Sequence, residues 1–189
     1  MRILVTAASR HDATTEIAHA IATTLTRAGI HVDERKPEDV GHLAAYDGVV
    51  LGSAIYAGHW LKPAKDLVER TSSRMRALPT WLFSTGPVGV PLKPEGVPVD
   101  VAPILEQSGA REHRIFGGRL DKRELGFGEK ALVRMVGAVD GDYRPWDEIE
   151  AWATEIATTL KANAVAAAGV VTATHSFREH RSTDEGDLS

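Results

Sequence analysis

The start of the chain contains the feature that most restricts its fold: a strand, a hydroxyl-rich loop and a helix follow one another directly. Residues 2–7 are apolar and rich in branched side chains, as expected of a buried parallel strand. Across residues 17–25, apolar side chains recur at helical spacing, and Gly29 ends this helix. Residues 9–16 join the two elements and read Ser-Arg-His-Asp-Ala-Thr-Thr-Glu. This order predicts an α/β domain whose first loop can meet a ligand at a helix N-terminus.

The first loop is suited to bind a small anion. The hydroxyls of Ser9, Thr14 and Thr15 and the N–H groups at the helix start can donate hydrogen bonds to a phosphate. Arg10 can neutralise part of the phosphate charge. Serine, aspartate and threonine also commonly cap helix N-termini, so capping explains the same loop equally well. The loop alone leaves both explanations open.

Composition excludes several classes of function. With 189 residues and a formal net charge of −4, the chain predicts one globular domain and no nucleic-acid partner, since it has no basic stripe. The absence of cysteine rules out disulfides, thiolate metal sites and a catalytic cysteine. The histidines have no metal-ligand spacing, so we expect no metal site. The sequence does not specify an oligomeric state.

Neither a secretory signal nor a transmembrane segment is expected. The opening residues form a strand-length run, and no apolar stretch reaches the ~18 residues that a membrane span needs. We therefore expect a soluble protein of the cytoplasm. Residues 1–162 are expected to form the domain. Residues 163–189, alanine-rich and then polar, are expected to be a C-terminal tail outside its core.

Segments typical of strands and of helices alternate along the chain, which is the pattern of a doubly wound parallel sheet. The five predicted strands are residues 2–7, 30–35, 48–52, 80–84 and 114–120. Further helices are predicted at residues 37–46, 61–75, 101–107, 130–136 and 145–160, and a proline-rich loop at 88–99. Ligands of such folds bind outside the carboxyl ends of the strands. The loops after the first, third and fourth strands should therefore form the site.

The loop after the third strand combines small residues with two aromatic rings and a histidine. Tyr56 and Trp60 are candidates to stack on a planar ring, and the alternative is that they anchor the loop on the core. His59 is a candidate catalytic residue, because an imidazole can donate to a ring carbonyl or stabilise developing negative charge. Its alternative is a solvated surface histidine. After the fourth strand, Gly86 and Gly89 let backbone groups approach a ligand.

Four segments carry a family resemblance. They are residues 9–14 (Ser-Arg-His-Asp-Ala-Thr), 52–60 (Gly-Ser-Ala-Ile-Tyr-Ala-Gly-His-Trp), 116–121 (Phe-Gly-Gly-Arg-Leu-Asp) and 142–147 (Asp-Tyr-Arg-Pro-Trp-Asp). They resemble the flavodoxin superfamily and, within it, the branch of menaquinone-dependent protoporphyrinogen IX dehydrogenases. The resemblance covers roughly residues 2–160. It implies a flavodoxin-like three-layer α/β/α sandwich with a five-stranded parallel sheet in the order 2-1-3-4-5.

The resemblance also implies a noncovalent FMN cofactor and the residues that bind it. The residues implied around the phosphate are Ser9, Arg10, His11, Ala13 and Thr14. Those implied around the isoalloxazine ring are Ser53, Ala54, Ile55, Tyr56, Ala57, Gly58, Ser84, Thr85, Gly86, Pro87 and Gly89. Asp12 stands where the family usually has glycine. Aspartate adopts left-handed backbone angles more readily than most residues, but its carboxylate would repel a phosphate unless it points outward.

The function expected from these features is that of an FMN-binding oxidoreductase or electron carrier. Its enzymatic form would resemble a protoporphyrinogen dehydrogenase, with a quinone or porphyrin-type molecule as redox partner. Two alternatives remain open. One is a deazaflavin-binding redox protein of the same fold. The other is a non-catalytic binding module that has lost the flavin, which Asp12 favours.

Overall fold

The computed structural model describes residues 1–86, 98–121, 123 and 139–179. In chain order its strands are β1 (Arg2–Ala8), β2 (His31–Arg35), β3 (Gly48–Tyr56), β4 (His59–Trp60), β5 (Thr80–Thr85), β6 (Glu112–Phe116), β7 (Arg119–Leu120) and β8 (Gly141–Asp142). Its helices are α1 (Ala13–Arg27), α2 (Lys62–Arg76), α3 (Val101–Ser108) and α4 (Trp146–Glu179), and a 3₁₀ turn covers Pro37–Asp39.

The main sheet is parallel and has the order β2-β1-β3-β5-β6. Because β5 and β6 are the fourth and fifth predicted strands, the predicted order 2-1-3-4-5 is confirmed. The short β4 pairs antiparallel with the end of β3, and β7 and β8 form a separate antiparallel ribbon. The strand order reverses between β1 and β3, which is where doubly wound folds bind their ligands.

Helices cover both faces of the main sheet, with α1 and α4 on one face and α2 and α3 on the other. On the first face, Phe83, Phe116 and Trp152 pack at tilted or edge-on angles, with ring centroids 5.6 to 6.2 Å apart. Gly52 of β3 lies against this cluster, since a Cβ there would come within 2.1 Å of the Phe83 ring. Only glycine fits at this position without moving the ring.

Residues 37–46, predicted as a helix, form only the 3₁₀ turn and then an irregular segment. Val40 has extended backbone angles, and Gly41, a poor helix former, follows it. Val40, Leu43 and Tyr46 still bury their side chains at the spacing that suggested a helix. The helix prediction is therefore wrong because turns satisfy the same periodic burial.

The predicted fifth strand, residues 114–120, is divided into β6 and β7. A Cβ on Gly117 would lie 2.1 Å from the carbonyl oxygen of Tyr143, so glycine is needed where these two backbones meet. Beyond this contact, β7 pairs with β8 instead of continuing the main sheet. The glycines that interrupt the predicted strand thus mark its end.

The last helix, α4, continues past residue 160, where the sequence predicted its end, to Glu179. Every side chain in residues 161–166 is exposed, so this part of α4 adds nothing to the core. The predicted helix at 130–136 and residues 88–97 of the predicted loop lie outside the described residues. Within the described ranges, no helix combines the length and apolar character that a membrane crossing needs.

Candidate functional site

The loops predicted to form the site meet at one edge of the main sheet. Ala8 at the end of β1 is in register with Ser53, and Ala54 is in register with Thr85 at the end of β5. Thr85 in turn is in register with Phe116 at the end of β6. Because all these strands are parallel, their carboxyl ends bring the three loops together.

The β1–α1 loop ends in a left-handed residue at the start of α1. Asp12 has φ 54° and ψ −11°, and its carbonyl accepts the first helical hydrogen bond, from the Glu16 N–H at 2.8 Å. The exposed Asp12 side chain makes no capping hydrogen bond to the helix. The left-handed angles agree with the expectation for an aspartate at a glycine position. Because Asp12 does not cap the helix with its side chain, its position favours the anion-binding explanation over capping by this residue.

The hydroxyl groups of Ser9, Thr14 and Thr15, in the loop and the first turn of α1, have two different environments. Thr14 is buried and its Oγ1 lies 2.6 Å from Oγ1 of Thr85, so this hydroxyl joins α1 to β5. Ser9 and Thr15 line a cavity of about 130 Å³, together with Asp12 and Lys36. Ser9 and Thr15 are therefore the hydroxyl groups of the loop that face open space.

Arg10 and Tyr56 connect the first and third loops. The Arg10 guanidinium carbon lies 4.1 Å from the centroid of the Tyr56 ring, within cation–π range. Tyr56 is half-buried and Arg10 is exposed. Arg10, predicted near the flavin phosphate, and Tyr56, predicted near the isoalloxazine ring, are therefore in direct contact.

The turn between β3 and β4 is held by Asp100 from the start of α3. Ala57 and Gly58 have φ values of 48° and 82°, as in the tight turns of hairpins. Asp100 contacts His59 Nδ1 at 3.0 Å and accepts a hydrogen bond from the Trp60 N–H at 2.9 Å. Burial raises the pKa of Asp100, but its hydrogen bonds outweigh this effect, and the pKa lies below its ordinary value. The turn and its histidine are therefore fixed by a carboxylate that stays charged.

Several residues predicted around the flavin ring have their side chains engaged inside the protein. Ser53 Oγ accepts a hydrogen bond from the Leu61 N–H at 2.9 Å. Trp60 is buried and donates from Nε1 to Ser84 Oγ at 2.7 Å, so it anchors the loop on the core, as one alternative predicted. Ser84 also lies 2.8 Å from Nε2 of His113, whose pKa burial lowers to about 4. These side chains shape the edge from within.

The remaining predicted ring residues are backbone positions. Ala54, Ile55 and Gly58 are half-buried at the end of β3 and in its turn. Gly86 has φ 149°, and a Cβ there would lie 3.2 Å from the Ile55 carbonyl oxygen. Pro87 and Gly89 lie outside the described residues. That these residues contact a flavin stays a prediction.

An ionic cluster at the start of α1 was missed by the sequence analysis. The Glu16 carboxylate accepts hydrogen bonds from Arg119 Nη1 at 2.8 Å and from Arg144 Nη1 at 2.5 Å. Arg144, with a side chain only 4% exposed, also binds Asp142. Burial raises the pKa of Glu16, but hydrogen bonds and charge from both arginines outweigh it and lower the pKa overall. The hydrogen bond from Arg144 lowers the pKa of Asp142 despite its partial burial.

The fold agrees with the comparison with known families. The family model described as a flavodoxin domain matches residues 4–145. The chain therefore belongs to the flavodoxin domain family, and membership supports a flavin-binding redox function. In the described part of the chain, no group of three histidine or acidic side chains lies close enough to hold a metal ion.

Individual relatives agree with this assignment. The chain is 24% identical over 174 residues to protoporphyrinogen IX dehydrogenase [quinone] of Escherichia coli strain K12, covering 83% of this chain and 95% of the relative. It is similar to a flavodoxin from the domain Archaea, with a TM-score of 0.58, 15% identity, and coverage of 85% and 99% of the two chains. For rubredoxin oxygen:oxidoreductase from Desulfovibrio gigas the TM-score is 0.60 at 12% identity, covering 85% of this chain and 36% of the other. The structural likeness establishes the fold.

Proposed function

We propose that this protein binds FMN at the carboxyl edge of its sheet and acts as a flavin-linked oxidoreductase. The observation that carries the proposal is the N-terminus of α1, where the side chain of the N-cap residue Asp12 makes no capping hydrogen bond and which lies at the strand-order reversal. N–H groups in the first turn of a helix have no partner within the helix and suit a phosphate. In a chain of the flavodoxin domain family, a flavin phosphate is the anion that best accounts for them.

The donors around this N-terminus fit the chemistry of FMN. Ser9 and Thr15 contribute hydroxyls that face a cavity, and Arg10 contributes positive charge. Arg10 covers one face of the Tyr56 ring, and we expect the rest of this ring to contribute aromatic surface beside the isoalloxazine. We expect the backbone at Gly86, directly after β5, to come close to the flavin. Asp12 and Glu38, which line the same cavity, have the opposite effect, since their charges disfavour a phosphate. FMN supplies the electron chemistry when bound, and these residues would bind and orient it.

The finer proposal is an enzyme that oxidises a porphyrinogen-type substrate and passes the electrons to a quinone. It is supported by the likeness to the Escherichia coli dehydrogenase, which covers most of both chains. Such a dehydrogenation releases protons, and His59 is the residue we propose to accept one. Asp100 contacts Nδ1 of His59, which orients the ring and leaves Nε2 on the opposite side for a substrate.

The first test is binding. Purified protein is titrated into FMN, and flavin fluorescence and absorption are recorded. We expect saturable quenching and a spectral shift, whereas an unchanged spectrum refutes the flavin proposal and favours the non-catalytic module that Asp12 suggests. Binding of a deazaflavin in preference to FMN would favour the other alternative. The sequence expectation of a cytoplasmic location belongs to the same proposal, and cell fractionation tests it.

The second test concerns His59. The FMN-loaded protein is assayed for protoporphyrinogen oxidation with a quinone acceptor, followed by porphyrin fluorescence. We expect His59→Gln to lower kcat about 100-fold, the lower range for general acid–base residues, with an unchanged Kd for FMN. His19→Gln is the matched control, because His19, in the middle of α1, is also an exposed histidine that contacts a carboxylate, that of Glu34 in β2. Equal rates in both variants would exclude the role proposed for His59.

A further inference from the structure

Two arginines from outside the predicted loops hold the backbone of the β1–α1 loop. Arg119 donates from Nη1 to Glu16 at 2.8 Å and from Nη2 to the His11 carbonyl at 3.3 Å. Arg144 donates from Nη1 to Glu16 and to the Ala13 carbonyl at 3.4 Å. Hydrogen bonds therefore connect the loop and the start of α1 to residues more than a hundred positions away in the chain.

The arginines are themselves fixed by the β7–β8 ribbon. The Tyr143 N–H donates to the Gly118 carbonyl at 3.0 Å, and Asp142 binds Arg144 through both carboxylate oxygens. A Cβ on Gly118 would lie 3.3 Å from Cα of Gly86, so the start of the ribbon also packs against the first residue after β5. A rigid support of this kind holds donors in place before a ligand arrives.

Arg119 and Arg144 also neutralise a negative charge that would repel a bound phosphate. Glu16 lies in the first turn of α1 and would place an unpaired carboxylate near any bound phosphate. Each of its oxygens instead meets one guanidinium, so the pair of arginines neutralises it. Removing one arginine would both release a carbonyl of the loop and expose part of this negative charge.

We propose that Arg119 is a positioning residue for phosphate recognition: by bridging Glu16 and the His11 carbonyl, it holds the β1–α1 loop in the form that binds the FMN phosphate. This inference rests on the proposed function. Arg119 acts through the loop and is not itself assigned a contact with the flavin. Its side chain is 31% exposed, compared with 4% for Arg144, so its replacement is the better tolerated of the two.

The test compares FMN with riboflavin, which lacks the phosphate. We expect Arg119→Ala to raise the Kd for FMN about tenfold, the effect of losing one or two hydrogen bonds to charged groups. The Kd for riboflavin should change less than about twofold, since riboflavin makes no phosphate contact. Arg119→Lys keeps the charge but not the two-pronged contact, and we expect an intermediate Kd for FMN.

Arg27→Ala is the matched control. Arg27 is also an arginine of one ion pair, with Glu150, but it lies in the last turn of α1, at the end away from the loop. In the Arg27→Ala variant, the ratio of the Kd for riboflavin to the Kd for FMN should equal that of the wild type. Far-ultraviolet circular dichroism and thermal unfolding of each variant confirm that it is folded.

Three results would overturn the inference. They are an unchanged affinity ratio in Arg119→Ala, an equal loss for both flavins, and complete recovery in Arg119→Lys, which would mean that charge alone matters. Failure of the proposed function gives a different result, because the wild type would then bind neither flavin. If only the inference fails, the wild type still binds FMN tightly.

Discussion

Replacing Asp12 by glycine separates the shape of the β1–α1 loop from its charge. Asp12 has left-handed backbone angles, φ 54° and ψ −11°, which place about 1 kcal/mol of strain on a residue with a Cβ. Asp12→Gly removes this strain, but glycine adds a similar conformational entropy to the unfolded chain. The free energy of unfolding should therefore change by less than about 0.5 kcal/mol. Asp12→Ala should lower it by about 1 kcal/mol.

The affinity for FMN should rise when the Asp12 charge is removed. Two unit charges about 8 Å apart in water interact by about 0.5 kcal/mol, and a phosphate carries nearly two charges. Loss of this repulsion predicts about 0.5 to 1 kcal/mol of tighter binding, or about two- to fivefold in Kd at low salt. Screening by about 0.15 M salt should remove much of the gain.

Fluorescence titration of FMN with each variant at low and at physiological salt measures this effect. Asp12→Asn is the matched control, because asparagine keeps the size of the side chain and tolerates left-handed angles while losing the charge. Both Asp12→Gly and Asp12→Asn should bind FMN more tightly by a similar factor. Weaker binding by both variants would refute the reasoning and show that the carboxylate supports the phosphate site.

Two further predictions concern the core beneath the site. Gly52→Ala should lower the free energy of unfolding by about 1 to 3 kcal/mol, because the added Cβ meets the Phe83 ring. Gly41→Ala is the control and should not lower it, because a Cβ there meets no atom within 4 Å. Chemical denaturation measures both variants, and equal stabilities would contradict the packing. Burial lowers the pKa of His113 in the folded protein to about 4, from an ordinary value of 6.5. Between these two pH values His113 is protonated in the unfolded chain but neutral in the folded one. The free energy of unfolding therefore falls as the pH decreases through that range. His113→Gln should make the loss between pH 7 and pH 4.5 smaller by about 1 to 2 kcal/mol, after allowance for partial exposure; an identical pH dependence would exclude the burial effect.

The sequence was sufficient to predict the order of the main sheet and the edge at which the ends of β1, β3 and β5 meet. The central strands β1, β3 and β5 are short, largely apolar runs, and the parallel order places their ends at one edge, which the register confirms. The left-handed conformation of Asp12 was also anticipated, because few residue types adopt it. These features depend on local composition, which a single sequence displays directly.

The ionic cluster around Glu16 could not be predicted in the same way. Its arginines, Arg119 and Arg144, lie 103 and 128 residues from Glu16, and only pairs three or four residues apart on a helix can be recognised from spacing. The short β4 carried a signal that was overlooked, since Gly58 lies in a turn between two strand formers, Tyr56 and Trp60. The burial of Ser53 and Ser84 depends on tertiary contacts and has no local signature.

The central claim is that the β1–α1 loop holds the phosphate of a flavin, and phosphorus-31 magnetic resonance of FMN tests it most directly. Free FMN has a phosphate that titrates near pH ~6, as phosphate monoesters do. In the presence of equimolar protein we predict a shifted, broadened resonance whose position does not change between about pH 5.5 and 8, because the loop binds the dianion. A resonance that keeps the position and the titration of free FMN would contradict the account.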